Sequence, residues 1–209
     1  MKSLLTLLLI LSMTGCRAGT RRPTGQPAPP PTAVRLVCID FVSTEAVEAS
    51  AFFVTADGLL VTCAHVVRGT VPIGVTLPDG TDATVAELVA SDPEADLALL
   101  RIGGSGFAAL RQSDVPPEDA GALRAVTKDG VTPASFVGPH DDPEVGETIL
   151  FSAPGLRRGA SGGALVDGRG RVVGIIRGAI DDDPAEVIAV PLQRLRALLA
   201  EASEAEGEQ

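Results

Sequence analysis

The 209-residue chain contains neither tryptophan nor tyrosine, and six phenylalanines are its whole aromatic content. That removes the large stacking platforms on which sugar and nucleobase recognition rest, and leaves any core to Val, Leu, Ile, Ala and Phe. Positive charge is short too: 17 Lys and Arg stand against 27 Asp and Glu, a formal net charge of −10. With no basic cluster in the sequence, a nucleic-acid partner is excluded. Two histidines, His65 and His140, and three cysteines, Cys16, Cys38 and Cys63, are the only soft ligands. Spaced so widely, they build no zinc site, and no metal or organic cofactor is expected.

Long hydrophobic runs are also missing, apart from Leu4 to Leu11 near the N-terminus. A stable bilayer span takes about 20 residues, so residues 1–15 read as a signal peptide. Met13-Thr14-Gly15-Cys16 resembles a bacterial lipobox, in which the cysteine is lipidated; the alternative is an ordinary cleaved signal with an incidental Cys16. Residues 16–32 carry five prolines and no apolar period. At about 3.1 Å per residue in an extended polyproline form, residues 17–32 would form a tether of roughly 50 Å, anchored at a membrane through Cys16.

What the chain does have is a serine among glycines, Arg158-Gly159-Ala160-Ser161-Gly162-Gly163. Upstream lie His65 in Val61-Thr62-Cys63-Ala64-His65-Val66-Val67 and Asp96 in Asp96-Leu97-Ala98-Leu99-Leu100. A serine hydroxyl attacks a carbonyl only when an imidazole takes its proton and a carboxylate holds that imidazole in the right tautomer. Gly159 permits the tight turn whose N–H, with that of Ser161, would meet an oxyanion. The α/β-hydrolases place their histidine after the serine, and no histidine follows Ser161. Asp92, in Ser91-Asp92-Pro93, reads as a turn residue rather than a competing triad carboxylate. His140, in a proline-flanked stretch, is assigned no role.

In these segments, and in Ala51-Phe52-Phe53-Val54 and Gly162-Gly163-Ala164-Leu165-Val166, the chain resembles the protease domain of the HtrA (DegP-like) family from about residue 33 to about 199. The resemblance implies an all-β, chymotrypsin-like double β-barrel with a short C-terminal helix. His65 is then the general base, Asp96 its orienting partner, Ser161 the nucleophile, and the N–H groups of Gly159 and Ser161 the oxyanion hole. Two departures stand out. Ala160 occupies a position where the family has asparagine and trypsin-like enzymes have aspartate. The chain also ends at Gln209, and the PDZ domains usual in the family are not expected.

Alternating apolar runs and turn signals predict strands near 34–42, 51–55, 59–62, 71–77, 84–90 and 97–102, a first barrel over 33–102. A second set near 121–127, 132–137, 147–152, 163–166, 171–178 and 186–190 gives a second barrel over 107–191. Leucines at helical spacing predict a terminal helix over 192–200, closing a protease domain of 33–200, and the acidic tail 201–209 reads as frayed. Cys38 and Cys63 are either a disulfide of the first barrel or two buried thiols.

The expectation is a serine endopeptidase of the bacterial envelope, lipid-anchored and facing periplasm or exterior, that cleaves unfolded or misfolded polypeptides through an acyl-enzyme. Segment 174–179 would line a pocket for small or medium apolar side chains. The alternative is a catalytically silent protease-fold scaffold that binds envelope peptides or a partner. The oligomeric state is left open between monomer and trimer.

Overall fold

The computed structural model describes residues 33–40, 46–83, 87–180 and 183–207, with no account of the side chain of Cys38. The predicted signal peptide, Cys16 and the proline tether therefore lie outside the described residues.

The first half contains β1 (Val34–Asp40), β2 (Ala46–Phe53), β3 (Leu59–Cys63), the helical turn α1 (Ala64–Val67), β4 (Thr70–Thr76), β5 (Asp82–Ala83), β6 (Glu87–Asp92) and β7 (Leu97–Arg101). These strands form one seven-stranded sheet in the order β5-β4-β1-β2-β3-β7-β6. The strands that flank the site are its most apolar. All five residues of β3 and the first four of β7 are buried, as continuous apolar runs between neighbours require.

The second half contains β8 (Leu123–Thr127), β9 (Gly130–Asp142), β10 (Gly146–Ser152), β11 (Ala164–Val166), β12 (Val172–Ile180) and β13 (Asp183–Pro191), followed by the helix α2 (Leu192–Gly207). Strands β8 to β13 close a barrel in the order β10-β13-β12-β11-β8-β9. The all-β, chymotrypsin-like fold with a C-terminal helix is thus present. Contacts between the halves are direct: the Ser50 N–H donates to the Ser161 carbonyl at 2.9 Å, and Cys63 Sγ to the Ile176 carbonyl at 3.3 Å.

Two elements differ from the sequence expectation. Strand β9 spans Gly130–Asp142, beyond the 132–137 expected, and passes through Pro133 and Pro139. Residues 130–134 of β9 pair with β8 and residues 135–142 with β10, so each half has one paired edge and a missing proline N–H can face the other. Helix α2 continues to Gly207, through residues read as a frayed tail. Leu192, Leu195 and Leu198 are buried, Ala202 packs on the same core, and Glu206 pairs with Arg101. Burying each leucine contributes about 1.5–3 kcal/mol, and the Ala and Glu that follow are good helix formers.

Of the two alternatives for the cysteines, Cys63 follows the buried thiol. Cys63 is a free, buried thiol, so it forms no disulfide with Cys38. The register explains why. Cys38 pairs with Val47 of β2 while Phe52 pairs with Val61 of β3, which leaves the two cysteines two strands apart, about 9.5 Å, and offset along the sheet as well. A disulfide needs Cα atoms within roughly 7 Å.

Candidate active site

His65 stands on α1, directly after the buried strand β3, and Asp96 ends the turn that leads into β7. The Asp96 carbonyl accepts the Ala64 N–H at 3.0 Å, and its carboxylate accepts the His65 N–H through Oδ1 at 2.8 Å. The remaining oxygen, Oδ2, lies 2.6 Å from His65 Nδ1. One residue therefore fixes both the backbone and the ring of the histidine. Asp96 has a left-handed backbone, φ +54°, which a short polar side chain tolerates better than most. Asp92 builds the turn below it, its Oδ1 accepting the N–H groups of Glu94 and Ala95 at 3.0 Å each. Burial pushes the Asp96 carboxyl up, but hydrogen bonds from His65, its charge and that of Arg177 outweigh this and hold it below the usual range.

Ser161 follows a turn over residues 157–160. The Ala160 N–H donates to the Arg157 carbonyl at 3.2 Å, and Gly159 has φ +86° while Arg158 has no positive φ. Those features define a type II turn. Types I and II differ by a flip of the central peptide, here Arg158–Gly159, so this turn sends the Gly159 N–H one way and the Arg158 carbonyl the other. Among the described residues, neither the Gly159 N–H nor the Ser161 N–H has an acceptor.

The turn is held from the opposite half of the molecule. Ser50, wholly buried in β2, donates its hydroxyl to the Gly159 carbonyl at 2.7 Å and accepts the Lys128 N–H at 3.0 Å. Its own carbonyl accepts Thr62 Oγ1 at 2.9 Å. The fit around the turn is tight. A Cβ added at Gly159 would stand 2.5 Å from Lys128 Cε and 2.8 Å from the Glu48 carbonyl oxygen. Ala160, the sequence departure, is a buried apolar residue of the second core, and Ser50 supplies the polar hold on its peptide.

Beyond the turn, the Gly162 N–H and Cys63 Sγ share the Ile176 carbonyl, which ties the serine to the strand before His65. The Ser161 hydroxyl faces Gly178, where an added Cβ would lie 3.9 Å from it. Among the described residues this hydroxyl makes no hydrogen bond, and catalytic contacts of this kind often tighten only around substrate. Cys63, His65 and Asp96 offer donor atoms within 4.8 Å of one another. Burial pushes the Cys63 thiol well above its ordinary value, and its Sγ donates to the Ile176 carbonyl.

Arg177 lies in segment 174–179, which was expected to line a pocket. It turns instead toward Asp96, with Nε 3.2 Å from Oδ2, while its Nη atoms reach Asp142 Oδ2 at 3.5 Å and Glu144 Oε2. The structure thus brings His65 and Asp96 into contact and sets Ser161 and Gly159 on the neighbouring turn. His140 lies apart, on β9. Sequence reasoning missed Ser50, whose role rests on a partner 109 residues away, and missed the direction of Arg177.

The trypsin-like peptidase domain family matches residues 49–175. The chain is 34% identical over 164 residues to the mitochondrial serine protease HTRA2 of Bos taurus, covering 72% of this chain and 35% of that protein. It is 30% identical over 141 residues to a probable periplasmic serine endoprotease, DegP-like, of Bartonella henselae, covering 60% and 27%. It thus spans about a third or less of the length of these curated relatives. Among solved structures, the Rv3671c protease from M. tuberculosis in its active form superposes with a TM-score of 0.68 at 26% identity, covering 81% of this chain and 80% of that one. The HtrA-type protease AlgW with tripeptide gives 0.70 at 26% identity, covering 81% and 59%. With more than half of its residues matched, the chain belongs to the trypsin-like peptidase family.

Proposed function

We propose that the chain is a serine endopeptidase. Ser161 attacks the peptide carbonyl, and His65, held in one tautomer by Asp96, takes its proton. The same imidazole then passes that proton to the leaving amine and activates the water that releases the acyl-enzyme. The N–H groups of Gly159 and Ser161 receive the oxyanion. The observation that carries this reading is the type II turn at 157–160, because it leaves both N–H groups unengaged beside the serine. A silent scaffold would be favoured by the flipped turn, in which the Arg158 carbonyl fills that position.

The substrates in this reading are unfolded or misfolded polypeptides of a bacterial envelope, with a small or medium apolar side chain before the scissile bond. The space left by Gly178 against the Ser161 hydroxyl supports that preference, and the names of the DegP-like relatives support the location. Beyond Ile176, β12 is paired with β13 alone, so a substrate strand can add to its other edge. Anchorage through a lipid on Cys16 belongs to the same proposal. A fluorophosphonate probe tests the chemistry: it labels the wild-type chain and leaves Ser161→Ala unlabelled. A folded wild-type chain that no condition allows to be labelled overturns the enzyme reading.

A further inference from the structure

Arg177 places a permanent cation on the same carboxylate oxygen that receives the imidazole. Asp96 Oδ2 lies 2.6 Å from His65 Nδ1 and 3.2 Å from Arg177 Nε. The Arg177 side chain is 19% exposed and that of Asp96 5%, so solvent screens this contact weakly. The approach is electrostatic rather than a directed hydrogen bond, since the buried Nε proton has no acceptor among the described residues. What holds the guanidinium there is the hairpin between β9 and β10, through Asp142 and the exposed Glu144. One guanidinium therefore bridges three carboxylates and ties a surface hairpin to the carboxylate that holds His65.

We propose that Arg177 is a positioning residue of the site: it shares Asp96 with His65, opposes accumulation of a second cation on that oxygen, and so extends hydrolysis to lower pH. This rests on the endopeptidase reading above. The groups facing Asp96 are His65 from α1, the neutral Cys63 thiol from β3 and Arg177 from β12. Asp142 and Glu144 stand behind Arg177. When His65 takes the serine proton, its imidazolium meets the guanidinium across one shared oxygen. Removal of the guanidinium makes that imidazolium easier to form, so the base is lost to protonation at a higher pH.

The test is the second-order rate of fluorophosphonate labelling across a pH series, a reaction that needs no peptide substrate. In Arg177→Gln the acid limb of the profile moves up by about one pH unit, the size expected of a neighbouring charge in a partly screened site. Labelling at a pH below the limb then falls about tenfold. Arg177→Lys keeps the charge and keeps the limb near that of the wild type. Glu144→Gln leaves Asp142 to hold the guanidinium and removes one carboxylate that offsets its charge, so it moves the limb slightly down, and it serves if Arg177→Gln does not fold. A limb that stays in place in Arg177→Gln, or in Glu144→Gln where only that variant folds, overturns the proposal, as does an equal shift in the lysine variant. Wild type that does not label at all removes the endopeptidase reading and this one with it.

Discussion

Replacing Ser50 by alanine removes one oxygen from the interior and leaves two backbone groups without a partner. The Gly159 carbonyl loses its donor at 2.7 Å and the Lys128 N–H its acceptor at 3.0 Å, at a residue with no exposed surface. Each buried orphan costs about 1–3 kcal/mol, and because both bonds are only partly buried each falls in the lower part of that range, so the variant should lose about 2–4 kcal/mol. At about 2–4 °C per kcal/mol for a domain of this size, the melting midpoint falls by roughly 10 °C. That leaves a folded protein if the wild type lies in the usual stability range of about 5–15 kcal/mol.

The catalytic consequence is separate. With the Gly159–Ala160 peptide released, the type II turn is no longer favoured over its flipped form, and a flip withdraws the Gly159 N–H. Losing one oxyanion donor lowers kcat by about 10²–10³. Substrate binding along β12 does not involve Ser50, so KM should change by less than about threefold. Steady-state kinetics on a peptide substrate, well below the melting midpoint, separate the two effects. A Ser50→Ala variant with wild-type kcat and a lowered melting midpoint would refute the link between this hydroxyl and the turn.

Two further outcomes follow from the same packing. In Gly162→Ala, the new Cβ would overlap the Ser50 carbonyl oxygen and Thr62 Oγ1 at a residue with φ +83°. Thermal denaturation should show a loss of about 3 kcal/mol, and a midpoint within a degree of wild type would show that the halves are packed less tightly here. Asp167 is buried and accepts the N–H groups of Arg169 and Arg171, at 2.9 Å each, and Arg171 Nε at 2.8 Å. Burial raises its pKa, but these bonds and the Arg171 charge outweigh that and lower it. The stabilisation is therefore complete above the unfolded value of about 3.9 and is lost as pH falls through the lower folded value. Asp167→Asn should be about 2 kcal/mol less stable at neutral pH, with the gap closing below about pH 4, and a gap that persists in acid contradicts the assignment.

The fold was legible where burial writes itself into short-range pattern. Leu59–Cys63 is apolar at every position but Thr62 and Leu97–Leu100 at every position, and both are strands beside the site. Strand β9 was cut short at residue 137 because Pro139 carries a local meaning, interruption, that the topology cancels by giving each half of the strand a single paired edge. The reach of α2 to Gly207 was hidden for a related reason. Glu201, Glu204 and Glu206 look like a solvated tail until Arg101, a hundred residues earlier, is placed beside Glu206.

At the site, the residue types were readable and their restraints were not. Serine, histidine and aspartate are few enough near glycines and apolar runs for their chemistry to show. The oxyanion turn was judged from Ala160, and the absence of a polar side chain there motivated the alternative of a silent scaffold. The three-dimensional arrangement changes that inference by moving the restraint to another residue. A carbonyl can be held by any donor that reaches it, and Ser50 reaches the Gly159 carbonyl from β2 while its N–H holds the Ser161 carbonyl. A missing side chain in a motif therefore argues against function only if no distant group has taken over its hydrogen bond, and here the serine that has done so lies 109 residues upstream.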